Sequence, residues 1–143
     1  MPFRYRDDML QADAAFEAAA SDLPSLFAEC GRAVFGVMAD LNGVGRTETR
    51  KLDLREDASV EMLLHRWLSD LIFLKDRDSL LFSRFDVRIE TGKNLFRLRS
   101  VVAGEKIDSG RHILGSDVKG VSFYKFSLKF ENGVWKAFVV CDL

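Results

Sequence analysis

The sequence predicts an α+β fold in which two amphipathic helices pack on a mainly antiparallel sheet. Two segments repeat apolar residues at helical spacing, and several others alternate apolar and polar residues as half-buried strands do. The chain has 143 residues, of which 48% are hydrophobic, and no linker or internal repeat divides it. One domain over residues 1–143 is therefore expected.

The first helix is predicted to begin after Asp22, a good N-cap residue, with Pro24 tolerated in its first turn. It is predicted to end near Asp40, before the turn-forming pair Asn42-Gly43. Its apolar stripe consists of Leu23, Leu26, Phe27, Cys30, Val34, Val37 and Met38. This spacing indicates one face packed against a core.

A second helix is predicted after an N-cap at Asp57 or Ser59. Trp67 lies at the centre of its apolar stripe and is interpreted as a packing residue. His65 falls off that stripe, which favours a solvated surface histidine over a metal ligand or a catalytic base. The stripe consists of Val60, Leu63, Leu64, Trp67, Leu68, Leu71 and Leu74.

The later part of the chain has the pattern of strands, with turns at Thr91-Gly92 and Asn132-Gly133. The last strand is almost wholly apolar, as a strand covered on both faces is. The predicted strands are residues 46–55, 80–90, 95–102, 118–130 and 134–141. Alternation in the fourth of these places Tyr124, Phe126, Leu128 and Phe130 on one face.

Residues 11–20 fit two structures. Their many alanines favour a helix by intrinsic propensity. The alternation of Leu10, Ala12, Ala14 and Phe16 with polar neighbours instead allows a strand. The pattern alone leaves both open.

Composition narrows the classes of function. With 21 basic and 22 acidic residues the net charge is -1, so the chain as a whole does not attract a polyanion. No window approaches the ~20 apolar residues of a membrane span, and residues 1–8 lack the apolar core of a secretory signal. We therefore expect a cytoplasmic protein without a membrane partner, in which Cys30 and Cys141 are buried free thiols.

Five stretches, in the same order, resemble the archease family, and together they cover most of the chain. Two are the helices, the first ending in Met38-Ala39-Asp40 and the second carrying the Leu-Leu-x-x-Trp-Leu core. The third is similar to the strand that follows the second helix in the family. The fourth is similar to the family's Arg-His pair and a later strand, and the fifth to its C-terminal end. The five stretches are residues 26–40, 63–74, 80–85, Arg111-His112 with residues 117–124, and residues 139–143.

The resemblance implies that residues 11–20 form a strand, because archeases carry an Asp-His-Thr-Ala-Asp motif there. The matching positions read Met9-Leu10-Gln11-Ala12-Asp13, so the final Ala-Asp is kept while the first Asp and the His are replaced. Asp8 lies one residue from the lost Asp, and a β-bulge would let it take that place, although a shift of one residue normally turns a strand side chain to the other face.

The resemblance also implies a divalent-metal site formed by Asp13, Asp142 and the terminal carboxylate of Leu143. Calcium is the first expectation, with magnesium or manganese as alternatives, because clustered carboxylate oxygens suit hard cations. Asp142 ends an apolar run, where a buried carboxylate needs a partner. The alternative for Asp142 is a frayed, solvated chain end. The alternative for Asp13 is a position beside Glu17 on the solvent-exposed face of the strand.

Lys119 and His112 match basic positions of the family. The resemblance implies that they contact the RNA ligase that archeases assist, its nucleotide or an RNA phosphate. Ordinary surface residues are the alternative for both. Tyr124 stands where the family has a histidine, and its ring fits the core equally well.

The function that the resemblance implies is activation of a GTP-dependent RtcB-type RNA ligase in tRNA splicing or RNA repair, through ligase guanylylation and turnover. RNA would then be reached only through the ligase. The alternative is a divergent archease-like protein-binding or chaperone module, for which the replaced Asp and His argue. A stand-alone metal-dependent hydrolase is the third hypothesis, and the absence of a catalytic triad pattern or a Gly-rich phosphate loop speaks against it.

Overall fold

The computed structural model describes residues 3–6 and 13–143, which form two helices and seven strands. The helices are α1 (Leu23–Met38) and α2 (Val60–Asp78). The strands are β1 (Phe3–Arg6), β2 (Asp13–Ala20), β3 (Glu48–Glu56), β4 (Leu80–Gly92), β5 (Leu95–Lys106), β6 (Gly120–Glu131) and β7 (Val134–Asp142). The described part of residues 11–20 is thus a strand, as the family resemblance implied.

The strands form two antiparallel sheets. One has the order β1-β2-β7-β6 and the other the order β3-β5-β4. The first and last parts of the chain therefore meet in one sheet, with β7 between β2 and β6. That central position explains why Val139, Val140 and Cys141 are all buried although they alternate between faces.

Both helices begin at the residues that the sequence indicated. The Asp22 side chain accepts a hydrogen bond of 2.8 Å from the amide of Ser25 at the start of α1. Ser59, and not Asp57, caps α2, since its hydroxyl accepts from the amide of Met62 at 3.1 Å.

The helices lie between the inner faces of the two sheets. The Phe35 ring of α1 meets Phe82 of β4 with ring centroids 5.4 Å apart, and the Tyr5 hydroxyl of β1 donates to the carbonyl of Ala33 at 2.8 Å. The fully buried Trp67 of α2 donates through Nε1 to the carbonyl of Phe27 at 2.9 Å. Its interpretation as a packing residue is confirmed.

One of the two turns lies where the sequence placed it. Asn132 and Gly133 join β6 to β7 with φ values of 52° and 81°, as a type I′ hairpin requires. The prediction of a turn at Thr91-Gly92 is wrong, because both residues still pair with β5 and the turn follows them. Asn94 takes the positive φ of 59° that the turn needs.

The prediction for β6 fails in its middle. Pairing with β7 breaks between Ser122 and Ser127, and Lys125 in between adopts a φ of 54°. The alternation is therefore interrupted, and Tyr124 is 59% exposed while Leu128 is buried. The four apolar residues do not share one buried face.

The segment that connects β5 to β6 runs across the C-terminal end of α1. The amide of Gly115 donates to the carbonyl of Met38 at 2.7 Å, and the amide of Asp40 donates to that of Ile113 at 2.9 Å. Asp40 also caps the short 3₁₀ turn Leu41–Gly43 by accepting from Asn42, which agrees with its predicted role in ending the helix. Among the described residues, no helix has both the length and the apolar character for crossing a membrane.

Candidate metal-binding site

Asp13 and Asp142 lie directly opposite each other in the ladder between β2 and β7. Their neighbours Ala14 and Cys141 form the next pair and face the helices, so alternation turns both aspartates to the outer face of the sheet. Side chains in such a pair have their Cβ atoms about 5 Å apart. The fold thus brings together the two side chains that were expected to share a metal.

Neither aspartate side chain has an ion pair or a hydrogen bond to another described residue. Like charges placed directly opposite in a sheet repel, so this pair opposes folding unless a cation neutralises it. The effect extends to Cys141, where burial first and then the charges of Asp142 and Asp13 raise the pKa of the thiol to about 12. The Cys141 side chain is fully buried on the inner face of the sheet, away from the two carboxylates.

The terminal carboxylate of Leu143 is the third expected group. The Leu143 side chain packs in part against the core, next to Asp142 in the chain. Consecutive Cα atoms are about 3.8 Å apart, which leaves this carboxylate close to the pair. In the described ranges no three His, Cys, Asp or Glu side chains are grouped as metal ligands. The expected donors, two aspartate carboxylates and the Leu143 terminal carboxylate, are all oxygen, and such a set would suit calcium or magnesium.

Lys119 adjoins the same end of the sheet. Its amide donates to the carbonyl of Asp142 at 2.8 Å, and its side chain is exposed. Gly120 pairs with Asp142, and a Cβ at this glycine would lie 3.6 Å from Asp142 Oδ2. A small residue beside the carboxylate keeps the space around it open.

His112 does not lie where the family resemblance suggested. Its side chain is fully buried, Nδ1 accepts from the amide of Asp108 at 2.9 Å, and Nε2 is 2.7 Å from Glu105 Oε1. Because Nδ1 accepts, Nε2 carries the proton and donates to the carboxylate. With both nitrogens occupied, His112 is unsuited to contact a partner or a phosphate, and the expectation is corrected: it anchors the segment after β5.

Glu17, which shares the outer face of β2 with Asp13, forms ion pairs with arginines of β1. Arg4 and Arg6 of β1 approach it at 2.8 and 2.5 Å, and the hydrogen bond from Arg4 is the main cause of its lowered pKa. Positions 9–12 of the altered motif, and Asp8, lie outside the described residues.

Two residues of α2 were misjudged from the sequence. His65 is half-buried, with Nε2 2.9 Å from the carbonyl of Val121 and its ring stacked on Phe123 at 3.8 Å, so the interpretation as a solvated histidine is wrong. Lys75 is 3% exposed, although the predicted apolar stripe does not include it. Its spacing of four residues from Leu71 was the available signal, because that position continues the buried stripe.

Lys75 fixes the chain just before Lys119. Its Nζ lies 2.7 Å from Asp117 Oδ1, 3.0 Å from the carbonyl of Val118 and 2.6 Å from Asp76 Oδ1. A buried ammonium with three oxygen partners holds residues 117–118 against α2. The cysteines, in contrast, agree with expectation, since Cys30 and Cys141 are buried free thiols.

The fold and the paired carboxylates define a small α+β protein with an acidic site where its second and last strands meet. The model of the Archease protein family (MTH1598/TM1083) matches residues 3–143. The chain therefore belongs to the archease family.

Relatives named archease match this chain over nearly its whole length. Protein archease of Methanothermobacter thermautotrophicus is 36% identical over 132 residues, which are 92% of this chain and 93% of the relative. Protein archease of Methanopyrus kandleri is 34% identical, over 92% of this chain and 94% of its own length.

Solved structures agree with the fold. The solution structure of Methanobacterium thermoautotrophicum protein 1598 matches with a TM-score of 0.87 and 34% identity, over 99% of each chain. The crystal structure of an archease from Thermotoga maritima, described as a possible chaperone, matches with a TM-score of 0.58 over 96% of this chain and 97% of its own. At 18% identity the second match supports the fold alone.

Proposed function

We propose that this archease is a cytoplasmic accessory protein that activates a GTP-dependent RtcB-type RNA ligase, promoting its guanylylation and turnover in tRNA splicing or RNA repair. The observation that supports this most is the direct pairing of Asp13 with Asp142 on the outer face of a sheet, without a cationic partner among the described residues. The covalent chemistry belongs to the ligase, and this chain is not a catalyst by itself.

The pair is suited to hold a divalent cation for a partner. Asp13, Asp142 and the Leu143 terminus offer three anionic groups, whereas calcium takes six to eight oxygen ligands. Positions therefore stay open for oxygens from another molecule. A bound cation would supply positive charge toward the phosphate oxygens of a nucleotide.

Lys119 extends this chemistry. The Lys119 amide donates a hydrogen bond to the Asp142 carbonyl, and its side chain is exposed. Its ammonium can therefore add a second positive charge, beside that of the cation, near the same phosphate oxygens. We infer that the end of the β2-β7-β6 ladder faces the ligase, with Lys119 as a contact to the ligase or its nucleotide. RNA then contacts this end only through the ligase.

The proposal is tested by the formation of the covalent ligase-GMP adduct from labelled GTP, using the cognate ligase with and without this protein. We expect the wild-type protein to increase the rate and extent of adduct formation with calcium or magnesium present. Asp142→Asn should lose most of the stimulation because one of the three anionic groups that hold the metal is removed. Asp57→Asn changes an exposed carboxylate away from the site and is the matched control.

Stimulation that is equal for Asp142→Asn and wild type would contradict the role of the pair. No stimulation by wild type, with the ligase shown to be active alone, would contradict ligase activation itself.

A chaperone or protein-binding module without activator function is the second candidate. The replaced Asp and His of the family motif favour it, as does the exposed aromatic pair Phe123 and Tyr124, which are 63% and 59% exposed. Under this alternative the ligase binds the protein in a pull-down, yet adduct formation does not rise and calcium is not taken up.

A further inference from the structure

The outer face of the β3-β5-β4 sheet carries a concentration of positive charge, here called the basic face. Strand alternation turns Leu52, Leu98 and Val102 inward and the charged residues outward. Six basic against three acidic side chains give this face a net charge of +3, although the whole chain has a net charge of -1. The basic face consists of Lys51, Asp53, Arg55, Arg84, Asp86, Arg88, Glu90, Arg97 and Arg99.

Charged residues of this face also lie opposite each other in neighbouring strands. Arg88 of β4 lies directly opposite Arg99 of β5, and Arg55 of β3 lies directly opposite Arg97. Like charges in such cross-strand pairs are destabilising. Asp53 lies opposite Arg99 and Glu90 lies opposite Arg97, so the face also holds two attractive pairs. The charge that remains in excess on the face is positive.

The acidic residues neutralise only part of the face. Asp53 binds Arg97 at 2.7 Å and Glu90 approaches Arg99 at 3.6 Å. Asp86 pairs in the same way with Arg84, at 3.3 Å. The three remaining basic residues, Lys51, Arg55 and Arg88, have no ion pair within residues 3–6 and 13–143.

The shape of the basic face suits an extended ligand. A shallow groove of about 770 Å³ runs along it. Its charged lining residues are the basic Lys51, Arg88 and Arg99 and the acidic Asp53, Asp86 and Glu90. Residues 84 to 90 extend about 20 Å at 3.3 Å per residue. The helices pack on the opposite side of the sheet, so this face is not covered by them.

We propose that the basic face binds the phosphate backbone of RNA directly. Five of its six basic residues are arginine, whose planar guanidinium matches phosphate oxygens bidentately. The face carries no aromatic side chain for base stacking, which selects the backbone over the bases. It also lacks the row of large apolar side chains that would anchor it in a membrane.

The basic face and the Asp13-Asp142 pair lie on the outer faces of different sheets, with the helices between them. RNA held on the basic face is therefore tethered away from the metal site. This function is additional to ligase activation, and either can fail without the other.

The test is the binding of a short fluorescent single-stranded RNA to the purified full-length protein, followed by anisotropy at several salt concentrations. Three uncompensated positive charges predict a slope of about −2 in log affinity against log salt, at about 0.7 per contact for a single strand. The affinity should then fall roughly twentyfold between about 50 and 200 mM salt.

The combined variant Arg55→Ala and Arg88→Ala should weaken binding for every RNA sequence and lower the slope by about 1.4. Its thermal midpoint should not fall, because each change removes one member of a like-charge pair. Lys129→Ala with Lys136→Ala removes the same charge from the outer face of the other sheet and should leave RNA binding unchanged.

Three results would overturn the proposal: no RNA binding by wild type at about 50 mM salt, equal binding by the arginine variant, or equal weakening by the lysine control. Binding to vesicles that contain anionic lipid, lost in the arginine variant and accompanied by no RNA binding, would assign the face to a membrane. Guanylylation of the ligase with GTP alone should be the same for the arginine variant and wild type.

Discussion

Replacement of the buried Lys75 by methionine tests how the segment before the candidate site is held. Lys75 has a side chain that is 4% exposed, while its partners Asp76 and Asp117 are 59% and 62% exposed. Removing the ammonium therefore leaves two carboxylates that water can solvate. The large cost of an uncompensated buried charge does not arise.

The cost instead comes from the carbonyl of Val118, which loses its donor at 3.0 Å. An unsatisfied buried acceptor costs about 1–3 kcal/mol. Methionine fills a similar volume, so a cavity adds little. We expect the free energy of unfolding to fall by about 2 kcal/mol, which corresponds to a decrease in Tm of roughly 6 °C for a domain of this size.

Urea denaturation gives the free energy, and hydrogen exchange gives its location. Lys75→Met should accelerate exchange of the Lys119 amide, which bonds to Asp142, more than that of amides in the middle of β5. Asp117→Asn is the control and should cost less, because Asp76 still pairs with the lysine. A methionine variant as stable as wild type, or a larger loss for Asp117→Asn, would refute this reasoning.

Two further predictions concern charge. With a chelator present, Asp142→Asn should be more stable than wild type by about 0.2–1 kcal/mol because it removes the repulsion from Asp13, and an unchanged urea midpoint would argue against that repulsion. The pKa of Glu105 is lowered from 4.5 to about 2, first by the amide of Gly45 and then by His112 and Arg111. This carboxylate therefore stabilises the fold above its ordinary pKa, and its contribution is lost as the pH falls through 4.5 toward about 2; Glu105→Gln should flatten this part of the curve of Tm against pH.

Much of the fold was accessible from local patterns. Helical spacing with the caps Asp22 and Ser59 predicted both helices within a few residues, and Asn132-Gly133 predicted the last hairpin. These features depend on neighbours in the sequence. The strand β1 and the division into two sheets depend on pairings between distant segments, for which the sequence carries no local signal.

Prediction of the candidate site depended more on the family resemblance than prediction of the fold did. Alternation alone left the face of Asp13 open, and only the register against β7 places it opposite Asp142. The histidines were misjudged for a related reason. His65 stacks on Phe123, which lies where the pairing of β6 is interrupted, and the residue pattern does not predict that interruption. His112 forms a hydrogen bond to the Glu105 carboxylate of β5, a contact between segments that the pattern does not predict either.

We propose that Asp13 and Asp142 together hold a divalent cation. Isothermal titration of the chelator-treated protein with calcium measures this most directly. We expect one calcium ion to bind to wild type, and binding to be lost or strongly weakened in both Asp13→Asn and Asp142→Asn while Asp57→Asn binds as wild type does. Uptake that is the same in both site variants as in wild type, or no uptake by wild type of calcium, magnesium or manganese, would contradict the account.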